Sequence, residues 1–137
     1  GEEEKIEWEA TKILGTCEGG AIVSASDIDI SAHCHRVNVS DGHTVAISFS
    51  THEPLTIEEI RSLWADEPSL RYREESDRPQ PRLDRDAGGG MVATVGRFRP
   101  CPVLDYRCIS LTHNLIRGAA GCGIAIGEHI WSRATPL

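Results

Sequence analysis

A chain of 137 residues suits one domain that buries roughly two thirds of its unfolded surface. Apolar residues make up 39% and charged residues 26%, which excludes a globally disordered chain. The net charge of -7 comes from 21 acidic and 14 basic side chains with no basic face, which argues against a nucleic-acid partner. A small anionic substrate would need a local cluster of Arg, Lys or His.

Glu2 to Leu14 is predicted helical, with Ile6, Ala10, Ile13 and Leu14 on one face and glutamates at the dipole's positive end. Gly19-Gly20 marks a turn. Ala21 to Ser26, Ala32 to Val39 and Thr44 to Ser50 are candidate strands, the last two joined by an Asp41-Gly42 turn signal. Thr56 and Glu59 make a capping box that starts a helix reaching about Asp66, before Pro68. Leu70 to Arg73 is a short strand, and Glu74 to Gly90, rich in Pro and Gly, is a long loop of the kind that is functional or interfacial. Met91 to Arg99 and Tyr106 to Thr112 are two more strands. Asn114 to Trp131 is helical, ending near Thr135-Pro136, with apolar residues spread so widely that it wants cover on more than one side. This order, without βαβ alternation, implies an α+β fold with helices gathered on one face of a sheet.

The five cysteines (Cys17, Cys34, Cys101, Cys108, Cys122) are odd in number and irregularly spaced, which suits free thiols in a reducing, cytoplasmic setting. No run approaches the roughly 18 apolar residues of a membrane span, and no signal peptide opens the chain. It begins on Gly1 rather than Met, so either processing or a piece of a longer protein is expected. His33-Cys34-His35 places two His on one strand face, yet no further Cys/His cluster completes a tetrahedron, and no metal site is expected.

The chemistry-bearing stretch is Ile30-Ser31-Ala32-His33-Cys34-His35-Arg36-Val37-Asn38-Val39-Ser40-Asp41-Gly42-His43-Thr44. It sets an arginine near the end of a predicted strand and a histidine just beyond the next turn. Arginine presents a planar fork that grips a carboxylate by two hydrogen bonds. Histidine exchanges protons near neutral pH. On spacing alone the plainer assignments lead: Arg36 capping surface structure and His43 occupying a turn.

The same stretch resembles the signature of the aspartate-semialdehyde dehydrogenases, a small residue, Cys-x-Arg, a hydrophobic position, four intervening residues, then Gly-His and a small residue. Ser31, Cys34, Arg36, Val37, Gly42, His43 and Thr44 fill those places. The resemblance implies that His43 is the acid/base catalyst and that Arg36 binds the substrate carboxylate. Glu2-Glu3-Glu4-Lys5, ahead of Lys12-Ile13-Leu14, looks like the family's E-x-x-K before a K-I-L helix, where Glu2 and Lys5 would meet the substrate's amino group and its phosphate or carboxylate. A solvated acidic helix start explains those residues equally well. His113-Asn114-Leu115-Ile116-Arg117-Gly118-Ala119-Ala120-Gly121 is similar to the helix start beside the nicotinamide, with Asn114 as carboxamide contact and Gly118 and Ala119 allowing close backbone approach. Its wording is nearer to fungal and archaeal members than to bacterial ones. Val95-Gly96-Arg97-Phe98-Arg99 matches a further family strand.

What the resemblance implies is a C-terminal half with a mixed, mainly antiparallel sheet like that of glyceraldehyde-3-phosphate dehydrogenase. Residues 1-112 would form the substrate-binding and dimerisation domain, and residues 113-137 a helix that packs on an NADP-binding domain. The whole enzyme would reduce β-aspartyl phosphate with NADPH to aspartate semialdehyde and phosphate, toward lysine, methionine, threonine and isoleucine, as a homodimer or homotetramer. The chain carries neither a Gly-rich dinucleotide turn nor a Ser-Asn-Cys nucleophile motif, so by itself it is expected to be inactive. Two other readings stand beside this one: a reductase of the N-acetyl-glutamyl-phosphate type, and a dimerisation module with no chemistry of its own.

Overall fold

A computed structural model of the chain describes residues 1-134. The expected helix end at Thr135-Pro136 lies outside the described residues. The chain divides into two compact units, Gly1–Asn38 and Val39–Leu137.

The first unit opens with α1 (Glu2–Ile13), whose first turn carries Glu2, Glu3 and Glu4 and whose last turn carries Lys12, as the helix dipole favours. β1 (Thr16–Glu18) and β2 (Ala21–Val23) pair antiparallel across Gly19-Gly20, both at positive φ. The strand expected at Ala21 to Ser26 is thus shorter, and the one expected at Ala32 to Val39 does not form. Its backbone donors go instead to carboxylates of α1. Ala32 N donates to Glu7 Oε1 at 2.8 Å, and Cys34 N donates to Glu3 Oε1 at 2.6 Å. Glu3 and Glu7 stand one helical turn apart, matching alternate N–H groups of an extended chain and removing the need for a partner strand. Arg36 therefore follows an unpaired segment rather than a strand, the shared strand face expected of His33 and His35 loses its basis, and Asp41-Gly42 joins no hairpin.

The second unit is built on a four-stranded mixed sheet in the order β3-β6-β5-β4. β3 (His43–Phe49), β5 (Ala93–Pro100) and β6 (Tyr106–Thr112) pair antiparallel, while β4 (Leu70–Arg73) joins β5 in parallel. α2 (Ile57–Ala65) begins at the expected capping box, with the Thr56 side chain accepting from Glu59 N and Glu59 accepting from Thr56 N at 2.7 Å. It lays Ile60 into a core of Val95, Phe98, Tyr106 and Cys108, joined by Phe49, Trp64 and Tyr72. Trp64 and Phe98 rings meet at 4.6 Å, and the Tyr106 hydroxyl donates to Leu55 O, tying the helix approach to the sheet.

The opposite face of β5 and β6 is covered by the segment expected to be a bare loop. It contains α3 (Pro81–Asp84), with proline at its first position, and a 3-10 turn over Ala87–Gly90. Thr94 and Leu111, cross-strand partners, are fully buried beneath it. Gly96 has no room for a side chain, because a Cβ there would collide with the Arg78 carbonyl. The final helical stretch opens with a π turn at Ile116–Gly121 and runs on as α4 (Cys122–Ala134), with Leu115, Ile124, Ile126, Ile130 and Trp131 exposed.

Candidate functional site

The sequence-derived site residues fall into two groups, one in each unit. Glu2, Lys5 and Arg36 belong to the first; His43, Asn114, Gly118 and Ala119 belong to the second.

In the first unit, Glu2 on α1 and Arg36 on the segment bound to α1 meet directly, with Arg36 Nη2 donating to Glu2 Oε2 at 2.6 Å. The bonds from Ala32 and Cys34 to α1 hold that segment so that Arg36 arrives at the helix start. The Arg36 side chain is 89% exposed, so its guanidinium keeps most of its donors open to a ligand. Lys5 pairs only loosely with Glu9, at 3.6 Å on the helix surface, a contact worth little in water. A carboxylate and a guanidinium side by side complement a zwitterion: an ammonium can replace the arginine on Glu2 while a carboxylate takes the arginine. Among the described residues no group of three or more His, Cys, Asp or Glu gathers as a metal site, and His33 and His35 stand exposed.

In the second unit, His43 begins β3 opposite Thr112 and is exposed. It lies on the same strand face as Phe49 but six residues away, about 20 Å from the aromatic core. Gly42, at φ 119°, packs so closely on Leu111 that a Cβ would sit 3.2 Å from its Cδ1. Gly42 N donates to Asn114 Oδ1 at 2.8 Å, a bond that joins the residue before His43 to one 72 positions later. This bond occupies the carboxamide oxygen of Asn114, and its two amide donors have no partner among the described residues.

Behind Asn114, His113 is buried and its Nδ1 accepts from Leu115 N at 3.2 Å and Ile116 N at 3.4 Å. Those are donors that a helix start leaves unsatisfied, so His113 acts as the cap of the π turn. Gly118 and Ala119 lie exposed on that turn, and a Cβ at Gly118 would meet nothing closer than His113 O at 3.6 Å. An unfilled pair of amide donors beside open backbone fits the carboxamide end of a nicotinamide cofactor.

Sequence reasoning missed a buried charge cluster under α3. Asp84, 2% exposed, accepts from Arg78 Nε at 2.7 Å, from Arg78 Nη2 and from Gln80 N at 2.8 Å, with Arg73 Nε at 3.4 Å. The Arg78 guanidinium holds the Asp84 carboxyl below the usual carboxylate range, helped by the Gln80 amide and the Arg73 charge and opposed by burial. The only hint in the sequence was proline at the first position of a four-residue helix within a loop otherwise read as irregular.

The described candidates are thus an exposed Glu2–Arg36 pair in the first unit and, in the second, a strand-start histidine whose preceding residue is hydrogen-bonded to Asn114. Residues 1–117 match the family model described as semialdehyde dehydrogenase, dimerisation domain, and the chain belongs to that family. It is 45% identical over 138 residues to the aspartate-semialdehyde dehydrogenase of Archaeoglobus fulgidus, covering 93% of this chain and 40% of that protein. The crystal structure of aspartate semialdehyde dehydrogenase with NADP from Candida albicans superposes with a TM-score of 0.76 at 36% identity, over 98% of this chain and 43% of that one. Aspartate semialdehyde dehydrogenase II from Vibrio cholerae, complexed with ASA, gives a TM-score of 0.68 at 27% identity, over 93% of this chain and 35% of that one. The α+β fold and the likeness to archaeal and fungal members agree with the sequence reading. The chain spans less than half the length of these relatives.

Proposed function

We infer that the chain is the substrate-binding and dimerisation part of an NADPH-dependent aspartate-semialdehyde dehydrogenase. That enzyme converts β-aspartyl phosphate, NADPH and a proton to aspartate semialdehyde, NADP⁺ and phosphate, in cytoplasmic amino-acid biosynthesis. The observation that carries the reading is the Gly42–Asn114 hydrogen bond, which couples the candidate acid/base to the candidate cofactor contact.

In this reading Arg36 grips the substrate's α-carboxylate by its planar fork while Glu2 receives the α-ammonium. Lys5, loosely held on α1, offers its ammonium to the phosphate. These cations supply the local positive charge that an acidic protein needs for an anionic substrate. His43 accepts the proton of the attacking thiol, which is contributed from outside this chain, as the thiol displaces phosphate from the acyl carbon, and it returns the proton to the sulfur when the C–S bond breaks and the aldehyde leaves. Bound NADPH supplies the hydride. Asn114 receives the nicotinamide carboxamide on its free amide donors, and Gly118 and Ala119 let the ring approach the backbone. Residues 1-112 act as the substrate and dimer domain, and residues 113-137 pack on the nucleotide-binding domain of the complete homodimer or homotetramer.

Substitutions in the full-length protein separate the two central roles. His43→Asn is expected to lower kcat by about 10²–10⁴-fold with KM little changed, as loss of a general acid/base does. Arg36→Lys is expected chiefly to raise KM, because an ammonium does not reproduce a two-pronged grip. A wild-type KM in Arg36→Lys would overturn the carboxylate role.

A further inference from the structure

The buried Asp84 cluster touches none of the candidate site residues, yet it anchors the element on which one of them rests. Its carboxylate draws in Arg78 from one side, Arg73 from β4, and the Gln80 amide at the start of α3. Its own carbonyl accepts from Thr94 on β5 at 3.5 Å, so both ends of the residue are fixed to the sheet. α3 then presents Pro81 and Arg85 to Gly42, with their Cβ atoms 3.5 and 3.8 Å from where a side chain would begin. Arg85 Nη1 also donates to Ser40 Oγ. Gly42 is thereby held between α3 and Leu111, with its N–H on Asn114.

We propose that Asp84 is a positioning residue for the reaction: by clamping α3 against the sheet it fixes the Ser40–Gly42 turn, and through that turn sets where His43 and Asn114 stand relative to each other. This rests on the acid/base and cofactor roles given above to those two residues. An isolated buried carboxylate with three donors would serve stability alone. What points further is the direction of the contacts from α3, which run to Ser40 and Gly42, immediately before His43.

A positioning role and a purely structural one separate in kinetics. Asp84→Asn keeps the shape and loses the charge, while Arg85→Ala leaves the clamp intact and cuts the ties of Arg85 to Ser40 and to its neighbour Asp86. Both are compared in the full-length protein with His43→Asn, reading kcat, KM and thermal midpoint together. Displacement of a catalytic group by about an ångström costs on the order of 10²-fold, so a fall in kcat of about 10–100-fold is expected for Asp84→Asn, with KM within about twofold. Arg85→Ala is expected to give a smaller fall in the same direction at an unchanged thermal midpoint. If Asp84→Asn does not fold, Arg85→Ala decides alone. Wild-type kcat in the folded variants, with His43→Asn inactive, overturns the positioning role and leaves the proposed function standing. Wild-type activity in His43→Asn overturns the acid/base assignment itself, and the positioning role with it.

Discussion

Three thiols and one buried carboxylate have pKa values moved by their surroundings, each with its own physical cause. The backbone amides of Leu104 and Val103 lower the Cys101 thiol pKa, helped by Ser48, to whose Oγ Cys101 Sγ donates at 4.0 Å, and by the Arg107 charge. Desolvation and the carboxylates of Glu2 and Glu3 push the Cys34 thiol up, and burial pushes Cys108 up. Since the thiolate is the reactive form, iodoacetamide near pH 7.5 is expected to label Cys101 before Cys34 and Cys108, read by peptide mass mapping. Labelling of Cys34 first would contradict this. Asp84 has a depressed folded-state pKa, so its stabilisation is complete above the ordinary aspartate value of about 3.9 and disappears as pH falls through the lower folded value. The gap in thermal midpoint between wild type and Asp84→Asn should be wide at pH 6 and narrow as pH falls below the ordinary aspartate value; a gap independent of pH would contradict the ionic account. Glu2, Arg36 and His43 could be named as candidates because motifs fix their spacing. Asp84 was not, because its significance comes from Arg73 and Arg78 meeting it in space, which no local spacing records.

At the level of elements, the capping box of α2 was readable since every partner lies within four residues. Thr56→Ala removes the acceptor for Glu59 N and is expected to cost about 1 kcal/mol, measured by urea unfolding. No change in midpoint would mean that the cap contributes nothing here. The misread elements share one cause, tertiary partners standing in for local signals. Ala32 to Val39 has a strand's composition, but Glu3 and Glu7 take its donors, leaving an extended segment without a ladder. The segment from Glu74 to Gly90 looked irregular by its Pro and Gly content, yet Asp84 organises it into α3 and a closing turn. The helix expected from Asn114 starts instead as a π turn capped by His113, where Gly121 lies against Ile116 O at 2.7 Å from a would-be Cβ.

At the scale of the whole chain, the final helical stretch, from Leu115 through α4, carries much exposed apolar surface. Leu115, Ile124, Ile126, Ile130 and Trp131 are exposed, and burying one such side chain is worth about 1.5–3 kcal/mol. A patch of that kind ordinarily finds a partner. The isolated chain is therefore expected to be at least a dimer by light scattering, with residues 114-131 exchanging amide hydrogens faster than β5 and β6. A monomer whose last helix exchanges as slowly as the sheet would contradict the division at residue 113. That helix was foreseeable from its all-round apolar pattern. The isolated chain is also expected to show no turnover, as it holds neither nucleophile motif nor dinucleotide turn. The most direct test of the central claim is the initial rate of phosphate-dependent NADP reduction by the full-length protein, with L-aspartate semialdehyde or N-acetyl-L-glutamate semialdehyde as substrate. The account expects turnover with the aspartate compound and at least about 100-fold lower kcat/KM with the other, the scale of discrimination that unpaired site groups impose. Preference for the N-acetylglutamate compound, or no phosphate-dependent rate with either, would contradict it.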